Sequence, residues 1–407
     1  MTQRASAIGL LWLSAALATA SCKSTSPPPP PDLRAVGLEV VQSVQTRDNA
    51  VLLVAGKRTV ARVFVTREKI DHVDPPKVGA TLEAYRNGVS LGTVTPMNPG
   101  GLFALTGESL EARLEDSINF ELPAGWTAAG SVRLRAIVDP AQTFVENNRA
   151  NNVVEREVTF VPSKTLRLRF VRFSYLRQGQ RIEPEQRQID ELVSVLKRMF
   201  PVANVDTATT YVMLNCSPEP SCNSSFTGSS HPTNTPWRED VRAAVLKVRQ
   251  SAEPNNPDAL YVGIYAMPPD VLDLTARGST WWRDRVATIY VFAGINEPQD
   301  SLDWLPRAGA HEIGHLLARG HVRCNGKEEN PIPDFPSAGG TIGGYPTNAL
   351  GLDVGDTVFG SEHALRIIPG STGELMSYCA PGWISPFTYE GIHRYIQTTR
   401  GVATEGP

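Results

Sequence analysis

The sequence carries no surplus of charge: 39 Lys and Arg stand against 42 Asp and Glu, for a formal net charge of -3. That excludes the basic footprint by which proteins hold nucleic acid, so no nucleic-acid partner is expected. It also lacks the marks of disorder, since 41% of residues are hydrophobic and 20% are charged, the balance of a globular protein. Cysteine is scarce, five residues in 407. No apolar run reaches the ~20 residues that a membrane-spanning helix needs. Length then sets the organisation, because one core rarely grows beyond ~250–300 residues before a chain divides, so two folded units are expected.

The longest apolar run is at the start. Arg4 precedes the stretch from Ala5 to Ala20, which passes through small residues into Cys22. Residues 1–22 therefore read as an export signal, with a membrane-anchoring helix as the alternative. The stretch Thr19-Ala20-Ser21-Cys22 resembles a bacterial lipobox, in which cleavage leaves the cysteine as an acylated N-terminus. Thr19 stands where that pattern has Leu or another aliphatic residue, so ordinary cleavage with release stays open. The resemblance implies a lipid anchor at Cys22, and with it an exported protein at the outer membrane or cell surface. Residues 23–32 follow as a tether, since their five consecutive prolines favour an extended polyproline helix and join no core.

Export places the other four cysteines, Cys216, Cys222, Cys324 and Cys379, in an oxidising compartment, where an even number suggests two disulfides. Proximity in the chain favours Cys216 with Cys222 and leaves Cys324 for Cys379. Buried free thiols are the alternative.

From residue 33 to residue 162 the texture is short alternating runs such as VGLEVVQSV, TVARVFV, ATLEAY, SINFEL, SVRLRAIV and VVEREVTF. Asn87-Gly88 follows one of them and tolerates the positive φ of a tight hairpin. Seven or so strands without helical periodicity predict an all-β, immunoglobulin-like sandwich. The segment DPAQTFVENNRANN, residues 139–152, resembles the E-x-N-x-x-N-N turn of bacterial adhesion-related immunoglobulin-like modules. Its Asx-rich composition suits either calcium (Ca2+) or a turn held by side-chain-to-backbone hydrogen bonds.

Residues 163–407 alternate strands with helices and predict an α/β domain with a mixed sheet. LRLRFVRFSY, ALYVGIYAM and ATIYVFAG read as strands. Between Pro184 and Phe200, the residues Ile189, Leu192, Val193, Leu196 and Met199 repeat at helical spacing and mark a core-facing helix. A second helix starts near Pro236. The tract from Gly326 to Gly370 shows little periodicity and reads as a surface-rich subdomain.

Three of the seven histidines fall within eleven residues, in the stretch His311-Glu312-Ile313-Gly314-His315-Leu316-Leu317-Ala318-Arg319-Gly320-His321. Residues four apart share a helix face, so His311 and His315 can aim two imidazoles at one ion. Glu312 lies beside them, placed to take a proton from a metal-bound water rather than to ligate. Zinc (Zn2+) suits this set, since a catalytic zinc takes three protein ligands and leaves one position for water. Pro306 is placed to open the helix, and Gly309 and Ala310 are small enough for close packing on a sheet.

The stretch resembles the H-E-x-x-H-x-x-G-x-x-H motif of the metzincin metallopeptidases, whose third histidine corresponds to His321. Where that family has a helix-ending glycine this chain has Ala318, and Gly320 is available to take over the turn. Leu375-Met376-Ser377-Tyr378-Cys379, with Met376 55 residues beyond His321, resembles the methionine turn in its astacin and serralysin form. The resemblance implies that Met376 floors the site and that Tyr378 either ligates the metal or stabilises the oxyanion. A Cys324–Cys379 bridge would staple the third-ligand segment to that turn. It also implies that ATIYVFAG is the edge strand on which an extended substrate pairs, with Trp281 and Trp282 near the cleft or packed under the sheet.

Glu362, Glu374 or Glu390 could replace His321 as a carboxylate ligand, and His72, His231, His363 and His393 have no assigned role. The expected function is a zinc metalloendopeptidase that hydrolyses internal bonds of extracellular proteins or peptides. The competing expectation is a surface adhesin or binding protein on a catalytically silent peptidase fold. A purely structural zinc site would need a fourth protein ligand.

Overall fold

The computed structural model describes residues 32–67, 77–104, 112–146, 148–177, 179–214, 236–252, 258–267, 278–292, 305–324, 326, 328, 330–344 and 346–398. The export segment with Cys22, the proline tract to residue 31, His72, Asn147, Cys216, Cys222 and His231 lie outside the described residues, as do the side chains of Trp282 and Glu362.

The first unit is a two-sheet sandwich of strands β1 (Leu33–Val41), β3 (Leu53–Val54), β4 (Val60–Arg67), β5 (Lys77–Arg86), β6 (Val89–Val94), β7 (Leu102–Ala104), β8 (Ile118–Glu121), β9 (Gly130–Val138) and β10 (Val153–Val161), with the two-residue β2 (Val44–Gln45) between β1 and β3 outside both sheets. One sheet has the order β1-β4-β8 and the other β3-β10-β9-β5-β6, with β7 also on β5. Alternation along β5 and β9 turns Val78, Ala80, Leu82, Ala84, Val132, Leu134 and Ala136 inward. There they meet Leu38, Val40, Val63 and Phe120 of the facing sheet in one core. Asn87 and Gly88, at φ 52° and 80°, make the β5–β6 turn. In the Asx-rich segment, Asp139 accepts from the backbone of Thr143 and Phe144, and Glu146 accepts from Leu33 N and Asn152 Nδ2. Protein donors thus reach these carboxylates and tie the segment to the start of β1, while Asp32 Oδ1, Asn151 Oδ1 and Asn152 Oδ1 beside them are buried without a hydrogen-bond partner among the described residues.

The second unit contains β11 (Leu166–Arg177), β12 (Gln180–Ile182), β13 (Val205–Met213), β14 (Ala259–Met267), β15 (Gly278–Trp281) and β16 (Val286–Phe292) with helices α1 (Gln186–Met199), α2 (Pro236–Ala252), α3 (Leu305–Leu316) and α4 (Pro386–Thr398). Strands β13, β11, β14 and β16 are parallel neighbours, while β15 pairs antiparallel outside β16. Residues Ala259 to Ala266 of β14 are buried or lack a side chain, the near-continuous burial of a parallel strand covered on both faces. Val245 of α2 lies over Gly263, whereas Leu192 of α1 and Gly309 of α3 lie on the Ile289 face. A methyl at Gly309 would stand 2.6 Å from Leu192, so glycine sets how closely α3 approaches α1. Among the described residues no helix is long and apolar enough to cross a membrane.

One expectation is corrected and one is refined. ATIYVFAG is not the edge strand, because Gly278–Trp281 pairs along its outer side and takes that place. The aperiodic tract is also not all surface. Within it β17 (Leu350–Asp353) pairs with β18 (Arg366–Ile368) on one side and with β2 of the sandwich on the other. Ile342, Ala349, Leu352 and Val354 are buried. Val44, Val51 and Val54 of the first unit enter the core of the second.

Polar contacts close the same junction. Trp383 Nε1 donates to Ser43 O at 2.7 Å, Tyr389 OH to Gln42 Oε1 at 3.2 Å, and Lys57 Nζ to the carbonyls of Lys197 and Arg198. Burial, with Arg198 nearby, lowers the Lys57 pKa to about 7. The last short strands, β19 (Gly373–Glu374) and β20 (Gly382–Trp383), pair with each other around the Met376 turn.

Candidate metal centre

His311 and His315 stand one turn apart on α3, and each ring is fixed from behind. His311 Nδ1 lies 2.9 Å from Leu375 O and His315 Nδ1 lies 2.7 Å from Arg319 O. A carbonyl only accepts, so both Nδ1 atoms carry the proton and both Nε2 atoms present lone pairs. The Nε2 atoms of His311 and His315 are 3.0 Å apart, and those of His315 and His321 are 3.1 Å apart. Lone pairs at that distance repel unless a cation lies between them. A proton is a poor candidate, because burial and the neighbouring imidazoles depress both groups, His311 well below the usual histidine range and His315 to about 4. A divalent metal fits. Nitrogens at ~2.0–2.1 Å from one tetrahedral zinc would stand ~3.3 Å apart. Among the described residues this triad is the group of His, Cys, Asp or Glu side chains that can hold a metal ion.

The path from His315 to His321 runs through Ala318, which itself takes the left-handed conformation at φ 58°, so Gly320 does not take over the turn. Arg319 N donates to Gly314 O and Ala318 N to His315 O, both at 3.0 Å, which is a Schellman cap with alanine in the glycine position. The cap serves the site, since its Arg319 carbonyl is the one that holds His315. Left-handed alanine costs ~1–2 kcal/mol, and glycine gives back part of that advantage through unfolded-state entropy of ~0.4–1 kcal/mol. Ala318→Gly is therefore expected to stabilise the chelated protein by about 0.5–1 kcal/mol, read as a rise in thermal midpoint. A fall would show that the alanine methyl packs usefully.

Beneath the helix, Met376 is fully buried and meets Gly314, where an added Cβ would lie 2.6 Å from its Sδ. Val322 N donates to Met376 O at 2.9 Å, joining the His321 arm to this turn. A disulfide links Cys324 and Cys379, with Cα atoms 6.0 Å apart. Tyr378, 46% exposed, places its hydroxyl 3.2 Å from His321 Nε2.

Arg307 and Glu328, which brace the surroundings of the triad, escaped the sequence reading. Arg307 Nη2 donates to Ser377 O and Cys379 O, both at 2.8 Å, clamping the turn after Met376 to α3. It lies four residues before His311, a spacing that could have marked it. Glu374 is no ligand here, because its buried carboxylate accepts from Met376 N and from Ser385 N and Oγ. Burial raises its pKa against these hydrogen bonds. Glu328 accepts from Tyr378 N at 3.3 Å. Glu312 lies against β15, where Thr280 Oγ1 is in hydrogen-bond distance of its Oε2 and of its carbonyl. His363 Nδ1 sits 3.5 Å from Arg198 Nη2, and His393 Nε2 sits 3.1 Å from Pro162 O, both apart from the triad.

Fold and site together define a β-sandwich joined to an α/β unit that carries a three-histidine group able to bind a metal. No protein-family model matches the chain, and no curated protein matches it. Among solved structures, a CARDB domain from Pyrococcus furiosus in complex with di-metal ions is 21% identical, covers 33% of this chain and 96% of its own, and has a TM-score of 0.21. A domain of a putative cell surface protein from Methanosarcina acetivorans is 21% identical over 32% of this chain and 92% of its own, with a TM-score of 0.20. A zinc-dependent peptidase from Methanocorpusculum labreanum is 14% identical over 38% of this chain and 83% of its own, with a TM-score of 0.21.

Proposed function

We propose that this protein is an exported zinc metalloendopeptidase of metzincin type that hydrolyses internal peptide bonds of extracellular proteins. The observation that carries the proposal is the convergence of three imidazole nitrogens, 3.0 and 3.1 Å apart along the group, with Glu312 next in sequence to the first of them. His311, His315 and His321 would hold the ion. When bound, such a cation would lower the pKa of a water ligand to ~7 and polarise a carbonyl.

Glu312 then accepts the proton of the attacking water as the new C–O bond forms, and delivers it to the amine nitrogen as the C–N bond breaks. Tyr378, whose hydroxyl reaches the His321 nitrogen, donates a hydrogen bond to the developing oxyanion. An extended peptide would add to the outer edge of β15, along which no other strand pairs among the described residues. Main-chain pairing of that kind binds peptides whatever their sequence. Anchoring through an acylated Cys22 completes the proposal and would confine the activity to the cell surface.

The test is cleavage of a denatured protein such as reduced casein, with zinc measured on the same sample. Wild type is expected to cleave and to lose activity with a chelator. Glu312→Gln is expected to lose at least ~100-fold in kcat while keeping one zinc. Equal activity in the two proteins would remove the mechanism. A zinc-loaded wild type that cleaves nothing would favour a binding protein on a silent peptidase fold.

A further inference from the structure

The geometry points to a positioning residue for the base: we propose that Thr280, on edge strand β15, holds one carboxylate oxygen of Glu312 and thereby fixes the orientation of the other. This rests on the peptidase reading and adds to it a residue outside the histidine and methionine motifs.

Gly278 and Thr280 are two residues apart on β15, so they face the same side of the sheet. That side carries Glu312 of α3. The Thr280 hydroxyl stands 2.5 Å from Glu312 Oε2 and 3.0 Å from Glu312 O. It has one proton to give, and the nearer, charged acceptor is the carboxylate, where a hydrogen bond is roughly twice as strong as between neutral groups. At Gly278 an added Cβ would lie 2.4 Å from Glu312 Cγ and 2.7 Å from Oε1. The glycine therefore allows the carboxylate to rest against the strand, and the threonine two residues on fastens it there. Trp281 faces the other way, with the Arg242 guanidinium 5.4 Å from its ring.

A glutamate has rotamer freedom that must be lost before it can work on a bound water. Here that freedom is removed beforehand by packing and a hydrogen bond from a rigid strand, the form of preorganisation a catalytic group needs. Because β15 is also the outermost strand of the sheet among the described residues, the element offered to a substrate backbone is the same element that aligns the base.

The test uses the full chain loaded with zinc and three variants, Thr280→Val, Thr280→Ser and Gly278→Ala. Turnover is read on a fluorogenic peptide mixture, together with zinc stoichiometry, thermal midpoint, and affinity for acetohydroxamate and for azide. Acetohydroxamate gives its hydroxyl proton to the carboxylate beside the metal, whereas azide has no proton to give.

Thr280→Val is expected to lose ~10–100-fold in kcat at unchanged KM, zinc content and midpoint. It should bind acetohydroxamate at least tenfold more weakly and azide equally well, and Thr280→Ser should restore both. Gly278→Ala, whose methyl displaces the carboxylate, is expected to lose at least as much kcat with zinc retained, a second route should the valine variant not fold. Wild-type turnover and hydroxamate affinity in Thr280→Val, or full activity in Gly278→Ala, would overturn the role of the strand. If wild type itself neither cleaves nor binds acetohydroxamate, the peptidase reading fails first and this role goes with it.

Discussion

Removal of the sandwich, residues 33–162, is expected to leave a fragment that does not fold cooperatively and does not bind zinc. The second unit lacks a finished core without it. Val44, Val51 and Val54 are buried in the core that also holds Trp383, Tyr389 and Ile368, and β2 completes the sheet of β17 and β18. Each side chain of this size stabilises by ~1.5–3 kcal/mol when fully buried. Exposing even four or five of them approaches the whole ~5–15 kcal/mol by which a domain is stable. The loss also reaches the three-histidine group. Trp383 belongs to β20, which pairs with β19, and Glu374 of β19 accepts from Met376 N beneath the histidines.

Size-exclusion chromatography and near-ultraviolet circular dichroism of residues 163–407 give the answer. A monomeric fragment with native dichroism and one bound zinc would show that the two units are separable. Trp383→Phe in the full chain is a gentler version. It keeps most of the apolar volume but removes the hydrogen bond to Ser43 O, and so should cost ~1 kcal/mol.

What the sequence reveals and what it hides follow from how local each signal is. The strands of the sandwich and α1 announce themselves because their periodicities are written within ten to fifteen residues, as in Val78-Ala80-Leu82-Ala84 or Ile189-Leu192-Leu196-Met199. The histidine spacing is equally local. The β2–β17 pairing is not, for Val44 meets Gly351 across some three hundred residues and β2 is two residues long. The edge strand was misassigned for the same reason. Gly-Ser-Thr-Trp is too short to show alternation, so ATIYVFAG, with its stronger β-propensity, took a role that belongs to its neighbour. Ala318 hid its conformation because propensity argues against left-handed alanine, yet the carbonyl that the turn offers to His315 holds it there. Such a local violation at the metal group is where tertiary demands outweigh chain preference.

Replacing both Cys324 and Cys379 with serine is expected to lower the stability of the zinc-free protein by up to ~4 kcal/mol, the chain-entropy value for a 55-residue separation. At ~2–4 °C per kcal/mol for a unit of this size, the thermal midpoint should fall by ~8–16 °C. A second effect follows from where the bridge lies. His311 and His315 are rigid because α3 and the Leu375 and Arg319 carbonyls hold them, but His321 rides on a segment outside regular secondary structure. That segment is tied down by Val322 N to Met376 O, by Ile332 N to His321 O, and by the disulfide three residues on. Without the bridge, ordering the third ligand must come from the binding energy of the metal, and zinc affinity should drop at least ~10-fold, or ~1.4 kcal/mol. Competition titration against a fluorescent chelator separates the two effects, because loop entropy alone lowers the midpoint without weakening zinc in the folded state. A lower midpoint with unchanged affinity would assign the bridge to folding only. Loss of both would make it part of the metal centre, and would make an oxidising compartment a condition for activity.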